Sequence, residues 1–408
     1  MRIPTLFIAA ASAFALAAPA YAKTIEVAAG DGAQGRLQEA LIVAEPGDVV
    51  MLGAGRFVLT DGLSLDVKGV TVRGAGMDAT VLDFSGQKGS GEGLLVTSDE
   101  VTLRDFAVEN TKGDGIKSKG ADNIVYYRLR VTWTGGPKTT NGAYGIYPVS
   151  STGVLVDGCK VSGASDAGIY VGQSKAITVR YNYVEQSVAG IEIENSRDAV
   201  VTGNLVTRNT GGILVFDLPS LPVMGGGNTL IENNLIVGND TPNFAPKGNI
   251  VASVPRGTGV MVMANDGVFV VGNQFSGNPF AQIVVLAYPL KFDDKNYNPY
   301  PRRVAIGANV VYAHGSVGAV PKVLWDGLGG KDAIIAAADF SAVNLNLSAL
   351  GAGQDQAKPS PIEFKSAFGT SRRSNGFTGQ PLFALDAVPA VLKAPMGAPP
   401  ALDARTQP

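Results

Sequence analysis

Cysteine, histidine and charged residues are scarce in this chain. Its 408 residues include one cysteine, Cys159, and one histidine, His314, and charged residues make up only 17%. A single cysteine excludes an internal disulfide framework and a thiolate zinc site, and a single histidine excludes a multi-histidine metal centre. The formal net charge of −2 gives no electrostatic footprint for nucleic acid or for an anionic membrane surface. The sequence therefore predicts no cofactor, no bound metal and no nucleic-acid partner.

The first 22 residues have the pattern of an export signal. Arg2 precedes an apolar run, Leu6–Ala18, and Ala20–Ala22 is a small-x-small cleavage site. The apolar run is too short to cross a bilayer, so we expect no membrane span in the mature chain. The pattern predicts a periplasmic or secreted protein that starts at Lys23.

Glycine, in contrast, is abundant. It accounts for 52 of 408 residues, against an ordinary share of about 7%. Much of it belongs to a repeat in which glycine precedes a branched apolar residue. The seven copies are Gly93-Leu94, Gly115-Ile116, Gly145-Ile146, Gly168-Ile169, Gly190-Ile191, Gly212-Ile213 and Gly259-Val260. Their separations of 22, 30, 23, 22, 22 and 47 residues give a basic step of 22.

A step of 22 residues has room for three short strands joined by tight turns. Such a unit cannot bury its apolar face alone, so neighbouring units must stack. The step is too short for helical repeats or for a propeller blade, which need about 33 and about 40–45 residues. The pattern predicts an all-β protein, a single right-handed parallel β-helix of about ten coils.

The repeat divides the chain into four parts. We expect the signal peptide at 1–22, an N-terminal cap with the first strands at 23–66, the β-helix at 67–315, and a C-terminal cap with a Pro/Ala-rich tail at 316–408. Apolar residues at i, i+3, i+4 and i+7 from Leu37 to Ala44 predict a short helix that caps the first coil. Asp332–Phe340 is predicted to be helical. The tail from Pro381 onwards is predicted to cover the last coil or to hang loose.

Residues 36 to about 315 resemble the pectin-lyase-like superfamily of parallel β-helix proteins. The Gly-Ile coils resemble its carbohydrate-binding, sugar-hydrolase-type and NosD-like repeats. The runs Gly163–Ser174 and Gly190–Ser196 are similar to an uncharacterised exported family of β-helix repeat proteins. The resemblance implies the fold and a polysaccharide ligand. Members of the exported family often accompany a c-type cytochrome-like partner and have no assigned reaction.

The segment Tyr144–Ser150 is similar to the Tyr-Gly-Xaa-Asp-Pro-His-Asp motif of mannuronan C-5 epimerases. That motif supplies carboxylates and an imidazole for proton abstraction next to a uronate. Tyr147, Val149 and Ser150 stand at its three chemical positions here, and Ala167 stands where those enzymes carry another histidine. The resemblance implies the scaffold of an epimerase without its catalytic groups.

Strand alternation places two columns of outward side chains on the Gly-Ile strands, with neighbours roughly 5 Å apart. The first column is Leu95, Lys117, Tyr147, Tyr170, Glu192, Leu214 and Met261, and the second is Thr97, Lys119, Val149, Gly172, Glu194, Phe216 and Met263. Their polar members predict a site. Candidate catalytic residues are Tyr147, Tyr170, Glu192 and Glu194, and candidate substrate-binding residues are Lys117, Lys119, Gln173, Asn195 and Asp217.

This patch suits sugar chemistry in more than one way. Tyrosine rings stack on the apolar faces of sugars. A tyrosinate or lysine base facing a neutralised carboxylate would serve β-elimination from a uronate. Glu192 and Glu194, with carboxyls about 6–7 Å apart, would serve glycoside hydrolysis. Ligand binding without catalysis and a plain solvated surface are the alternatives.

Three functions therefore stay open, and the sequence does not decide whether the protein is an enzyme. The first is an exported protein that binds, and processes as a lyase, epimerase or hydrolase, a polysaccharide on its Gly-Ile face. The second is a periplasmic scaffold that docks a protein partner such as a c-type cytochrome through an exposed apolar patch. That patch consists of Leu214, Phe216, Met261 and Met263. The third is a structural solenoid without a specific ligand.

Several residues outside the patch are predicted to have structural roles. Asn182, Asn204, Asn234 and Asn273 recur at one place in the repeat and predict a hydrogen-bonded ladder. Cys159 occupies the same place, so we expect a small buried turn residue. The insertion Leu218–Arg256 and the loop Lys291–Pro301 are both predicted to fold over the site as lids.

Overall fold

The computed structural model describes residues 22–307, 309–311, 333–336, 342–344 and 395–407. Their strands form three sheets that wind round a common interior. In every coil the chain passes from the first sheet to the third and then to the second. Each strand of the coils pairs in parallel with the equivalent strand one coil away. The predicted all-β parallel β-helix is confirmed.

The strands are short. The first sheet contains β1 (Thr24–Val27), β2 (Val49–Leu52), β5 (Thr71–Arg73), β8 (Thr102–Arg104), β11 (Ile124–Tyr127), β14 (Thr152–Asp157), β17 (Lys175–Arg180), β20 (Arg197–Thr202), β23 (Gly227–Glu232), β26 (Asp266–Val271) and β29 (Ala305–Gly307). The second sheet contains β4 (Leu63–Leu65), β7 (Leu94–Val96), β10 (Ile116–Lys119), β13 (Tyr144–Val149), β16 (Ala167–Gly172), β19 (Ala189–Glu194), β22 (Gly211–Phe216), β25 (Thr258–Met263), β28 (Ala281–Leu286), β31 (Ala333–Ala336) and β32 (Ala342–Asn344). The third sheet contains β3 (Gly55–Val58), β6 (Thr80–Asp83), β9 (Ala107–Glu109), β12 (Arg130–Thr132), β15 (Lys160–Ser162), β18 (Tyr183–Glu185), β21 (Leu205–Thr207), β24 (Leu235–Val237), β27 (Gln274–Ser276) and β30 (Val310–Val311).

An α-helix, Ala33–Val43, covers the first coil. Its buried face includes Leu37, Ala40 and Leu41, and it packs near β1, β3 and β4. The predicted capping helix is confirmed and begins one turn earlier than the apolar spacing indicated. It shields apolar residues that the first coil would otherwise expose. None of the helices in the described part of the chain has the length and hydrophobicity to span a membrane.

Close packing, and not an unusual backbone angle, requires the repeat glycine. A Cβ atom at Gly145 would lie 2.4 Å from Cγ1 of Val161 and 2.5 Å from the carbonyl oxygen of Gly168. Gly115 and Gly190 have the same relation to a valine of the third sheet. Because this valine fills the corner between the two sheets, a larger residue at the glycine position would force neighbouring backbone apart.

Asparagine side chains close the turns between the first and third sheets. Each side-chain oxygen accepts a hydrogen bond of 2.9–3.0 Å from the backbone N–H of the ladder member one coil earlier. The ladder consists of Asn182, Asn204, Asn234, Asn273 and Asn309. Cys159 lies at its start, buried as predicted, and its N–H donates to Asn182 at 2.9 Å. The predicted ladder is confirmed and extends one member further.

A second ladder, which the sequence analysis did not identify, closes the turns between the third and second sheets. It consists of Ser187, Asn209, Asn239 and Asn278. Asn278 ends it by donating to Oε1 of Gln282 at 2.7 Å. Gln282 stands at the place of the repeat glycine in β28. The next strand there, β31, pairs antiparallel and does not continue the coil.

The C-terminal part of the chain differs from the prediction. The predicted helix at Asp332–Phe340 is wrong where it is described, because Ala333–Ala336 forms β31 against the edge of β28. An open strand edge offers backbone hydrogen-bonding groups that a helix would leave unpaired. His314 and the predicted boundary at 315/316 lie outside the described residues.

Residues 395–407, here called the strap, lie on the outer face of the first sheet and not over the last coil. Leu402 packs against apolar side chains of β11 and β14. Arg405 donates a hydrogen bond of 2.8 Å to a threonine hydroxyl of β8, and Asp403 pairs with Arg180 of β17 at 2.8 Å. The strap therefore crosses four strands of the first sheet, where apolar and charged partners are available to it.

The asparagine ladder generates a stability prediction. Asn204→Ala removes the oxygen that accepts the N–H and Nδ2–H of Asn182, so buried donors lose their partners. We expect the free energy of unfolding to fall by about 2–3 kcal/mol, measured by urea denaturation. Gln274→Ala, which removes an exposed amide from β27, is the control. Equal stability of the two variants would contradict a structural role for the ladder.

Candidate active site

The outward columns of the second sheet have the predicted register. Lys117 pairs with Tyr147, and Tyr170 pairs with Glu192 in the next coil. Gly172 pairs with Glu194 in the second column. The predicted polar residues therefore lie on one face of the sheet, at successive positions along the axis of the β-helix.

This face is covered over much of its length, contrary to the expectation of an exposed patch. Leu214, Phe216, Met261 and Met263 are 0–3% exposed. They form a second apolar cluster, outside the β-helix, with residues of both predicted lids, among them Val251, Val254 and Tyr297. The prediction of an apolar docking patch is wrong, because the insertion and the loop occupy that surface themselves. The lid prediction agrees with this placement.

The cover ends near β13. Tyr170, Glu192 and Glu194 are buried beneath it, while Tyr147 and Lys117 are partly exposed and Lys119 is exposed. The outward face of β4, β7 and β10 is thus an open surface that leads to the covered region. A ligand lying along the sheet would meet the covered side chains at this border.

Three tyrosines form the border. The ring centroid of Tyr144 lies 4.5 Å from that of Tyr147 and 4.4 Å from that of Tyr170. The centroids of Tyr147 and Tyr170 are 4.9 Å apart, and these two rings meet edge to face. Burial raises the pKa of Tyr144 and of Tyr170 far above the ordinary value. These hydroxyls are therefore hydrogen-bond donors, and the expected tyrosinate base is disfavoured.

The side chain of Tyr170 extends along its own strand towards a carboxyl of the next coil. Its hydroxyl donates to Oε1 of Glu194 at 2.6 Å. The ring lies over Gly172, where a Cβ atom would come within 2.4 Å of it. Glycine at this position in the second column therefore makes room for the tyrosine.

Three buried carboxyls, those of Asp166, Glu192 and Glu194, lie on the covered side of the tyrosines. Burial raises the pKa of Asp166 and of Glu194 to about 7. Burial also raises the pKa of Glu192 well above its ordinary value, and the nearby charges of Asp166 and Glu194 add to this effect. Asp166 accepts a hydrogen bond of 3.0 Å from Asn249 of the insertion. Asp166 and Glu194 are therefore partly protonated at neutral pH.

Two carboxyls on the open side of the tyrosines, those of Glu92 and Asp114, have a different environment. Nζ of Lys117 lies 2.8 Å from Oε1 of Glu92 and 3.6 Å from Oδ2 of Asp114, and it also lies 4.9 Å from the Tyr147 ring centroid. Burial opposes ionisation of Glu92, but the hydrogen bond and the charge of Lys117, together with a backbone hydrogen bond, outweigh it and lower the pKa of Glu92. Burial raises the pKa of Asp114 to about 6. A carboxyl with a lowered pKa and carboxyls with raised pKa values thus flank one aromatic cluster.

The remaining candidate residues hold the insertion in place. Asn195 donates to the carbonyl oxygens of Leu218 and Val223 at 2.8 and 2.9 Å. Oδ1 of Asp217 accepts the N–H groups of two glycines of the insertion, and Gln173 accepts the N–H of Val223 at 3.4 Å. These contacts make Asn195, Gln173 and Asp217 attachment points of the lid, whereas they were predicted to bind substrate.

Sequence reasoning missed Tyr144, Glu92, Asp114 and Asp166. Tyr144 and Asp114 directly precede repeat glycines, and Asp166 lies two places before one. The strand alternation counted only residues after the glycine. A third column, at the position before the glycine, would have included Tyr144 and Asp114, since the register pairs Tyr144 with Ala167 of the next coil. In the described part of the chain, no three or more His, Cys, Asp or Glu side chains are grouped to hold a metal ion.

The buried carboxyls generate a pH prediction. Because the pKa values of Asp166 and Glu194 are raised on folding, the folded protein retains protons that the unfolded chain releases between about pH 4.5 and 7. The free energy of unfolding should therefore fall as pH rises through that window. Asp166→Asn combined with Glu194→Gln should remove part of the decline, measured by urea denaturation at several pH values. An unchanged slope in the double variant would contradict the assignment.

This chain is similar to one family model and to several solved structures. Residues 68–223 match a family model described as a right handed beta helix region. A search of the curated proteins finds no match. The A-module of the mannuronan C-5 epimerase AlgE6 from Azotobacter vinelandii aligns with a TM-score of 0.47 and 18% identity, over 71% of this chain and 84% of that one.

Two further solved structures align over a similar extent. An alginate lyase from a Paenibacillus species has a TM-score of 0.41 and 19% identity, over 62% of this chain and 95% of that one. A family 28 exopolygalacturonase from Yersinia enterocolitica has a TM-score of 0.44 and 14% identity, over 74% and 67%. The family match covers the coils that carry the tyrosines and the carboxyls. The model that residues 68–223 match is right-handed, which agrees with the handedness that the repeat predicts.

Proposed function

We propose that this protein binds a polysaccharide along the open face of the second sheet and hydrolyses it at the tyrosine border. The single observation that carries the proposal is the separation of carboxyl pKa values across one aromatic cluster. Burial raises the pKa of Asp166 to about 7 on the covered side, so that it is partly protonated at neutral pH; on the open side the pKa of Asp114 is about 6 and that of Glu92 is lowered. Glycoside hydrolysis needs one carboxyl of each kind beside the scissile bond.

The residues divide into two sets of roles. Asp166 donates a proton to the leaving oxygen, and Asp114, on the other side of Tyr144, acts as the ionised partner. Tyr144 and Tyr147 offer ring faces for a sugar. β-Elimination and epimerisation are less well supported, because each needs a cation to neutralise a uronate. Lys117, the nearest ammonium group, already pairs with Glu92 and Asp114.

An exported location is also part of the proposal. The backbone N–H of Lys23 donates to Oδ1 of Asp48 at 2.9 Å, and Asp48 is 2% exposed. Cleavage before Lys23 would convert this amide into an α-ammonium group beside a buried carboxylate, which stabilises both charges. Residues 1–21 lie outside the described part of the chain.

We expect N-terminal sequencing of the protein recovered from the periplasm or medium to begin at Lys23. Asp48→Asn should lower the thermal midpoint of the processed protein more than that of a form that keeps an extended N-terminus. Recovery of the chain in the cytoplasm with its first 22 residues intact would contradict export.

The enzymatic proposal is tested on a panel of polysaccharides and oligosaccharides. New reducing ends without unsaturated uronates would report hydrolysis, and reducing ends with the ultraviolet absorbance of unsaturated uronates would report elimination. We expect Asp166→Asn to lower the rate of reducing-end formation by about 100-fold or more, as for loss of a general acid. Asp157→Asn is the matched control, because Asp157 is also a buried aspartate that accepts from a side-chain donor, Arg180, but in the first sheet. Elimination products, or no reaction on any polymer, would contradict hydrolysis.

A further inference from the structure

The outer face of the first sheet contains two neighbouring pockets beside the strap. The larger, of about 600 Å³, is lined by Thr102 of β8 and by Leu402 of the strap. The smaller, of about 500 Å³, is lined by Tyr127 of β11. Both pockets are lined by Arg73 and Arg104, which are partners in the register of β5 and β8. The two pockets therefore share a pair of arginines, and they lie on a different sheet from the tyrosine border.

Positive charge exceeds negative charge in the lining of these pockets. The arginines that line them are Arg73, Arg104, Arg128 and Arg405. The acidic residues that line them are Glu100 and Asp105. The carboxylate of Glu100 is already paired with Lys68, at 3.0 Å. An anion with two negative charges would therefore balance the charge of the lining.

Three of the four arginines share the carboxylate of Asp105. Its Oδ2 lies 2.7 Å from Nε of Arg104 and 4.0 Å from Nε of Arg73. Its Oδ1 lies 3.2 Å from Nε of Arg128. Among the described residues, no second carboxylate pairs with any of these three arginines. Because one carboxylate has a single negative charge, it leaves two of the three guanidinium charges unbalanced.

The central arginine of this group, Arg104, is held in place by the protein itself. It is only 6% exposed, and its Nη1 donates to the carbonyl oxygen of Gln407 in the strap at 2.6 Å. Its guanidinium carbon also lies 4.9 Å from the ring centroid of Tyr127. The side chains of Arg73 and Arg128 are 41% and 54% exposed, so solvent reaches them. One fixed guanidinium group and two accessible ones suit the binding of an anion from solution.

The charge and the size of the pockets indicate the class of ligand. The planar guanidinium group binds pairs of carboxylate or phosphate oxygens through two parallel hydrogen bonds. A carboxylate contributes one negative charge, whereas a phosphate monoester contributes about −1.5 to −2 near pH 7. The larger pocket offers space for the rest of such a molecule, between Thr71 and Thr102 of the sheet and Pro399 and Leu402 of the strap.

We propose that these two pockets form a binding site for a phosphate monoester. Its phosphate group lies among Arg73, Arg104 and Arg128, and the rest of the molecule lies in the larger pocket against the strap. This site goes beyond the proposed function, because it lies on another sheet and shares no residue with the tyrosine border. A bound monoester contacts both the sheet and the strap, so it should stabilise the folded protein.

The experiment measures binding to the purified protein by isothermal titration calorimetry at low ionic strength. The probes are glucose 6-phosphate, inorganic phosphate and glucuronic acid, which represent a phosphate monoester, a free phosphate and a sugar carboxylate. We expect glucose 6-phosphate to bind about ten-fold more tightly than either of the other two, and to raise the thermal midpoint of unfolding. Its affinity should fall as the salt concentration rises, because the partly exposed arginines are screened.

Variants of the accessible arginines test the assignment. Arg73→Gln leaves Arg104, which holds the strap, unchanged, and it should weaken binding of glucose 6-phosphate about ten-fold. Arg128→Gln is the second variant, with the same expected effect. Arg197→Gln should bind as the original protein does, because Arg197 is an exposed residue of β20 in the same sheet and lines neither pocket.

Three results would overturn the inference. The first is the absence of detectable binding of glucose 6-phosphate. The second is binding of inorganic phosphate or glucuronic acid as tight as that of glucose 6-phosphate, because the larger pocket or the second negative charge would then contribute nothing. The third is unchanged affinity in both Arg73→Gln and Arg128→Gln.

Discussion

Stacking of each coil on the next is the interaction on which this structure depends, because a single coil has no interior of its own. The repeat glycine allows the third-sheet valine and the neighbouring carbonyl oxygen to come close, and that closeness brings successive coils into register. Serine and asparagine ladders then satisfy backbone donors at the turns, where the strands no longer pair. With the turns closed in this way, the outer surfaces of the sheets are free to vary without disturbing the interior.

The outer face of the second sheet varies along the axis of the β-helix. It is apolar near the C-terminal end, where the insertion and the loop cover it, and open near the N-terminal end. The carboxyls of Asp166, Glu192 and Glu194 lie just inside the edge of the cover. Placing acids there is costly in folding free energy, and it shifts their proton affinity towards neutral pH. This cost is what distinguishes the region from a solvated sheet surface.

Much of the fold was predictable from one sequence, because the 22-residue step and the recurrent asparagine are direct consequences of stacking. The two outward columns were also predictable, since strand alternation is regular after the glycine. Whether the side chains of these columns are exposed to solvent was not predictable. A sequence does not show that an insertion between Asp217 and Thr258 returns to the face of its own sheet, so Phe216 and Met263 looked exposed.

Other features depended on contacts between distant segments. Tyr144 lies before the glycine, where regular alternation does not apply, and Asp166 acquires its partner Asn249 from a segment 83 positions away. The strand Ala333–Ala336 forms because β28 has an open edge, which its own composition does not indicate. For Asp166 and for Ala333–Ala336, the contact that decided the outcome came from a distant segment of the chain.

The strap alters the way in which this solenoid can come apart. In a plain stack each coil contacts only its two neighbours, and ends fray while the middle persists. The strap ties β8 directly to β17, three coils further along, through Arg405 and Asp403. Coils between these strands cannot separate one at a time without also releasing the strap. We therefore expect the coils from β8 to β17, with the tyrosine border among them, to melt as one cooperative block, in contrast to the gradual fraying of an unbraced repeat array.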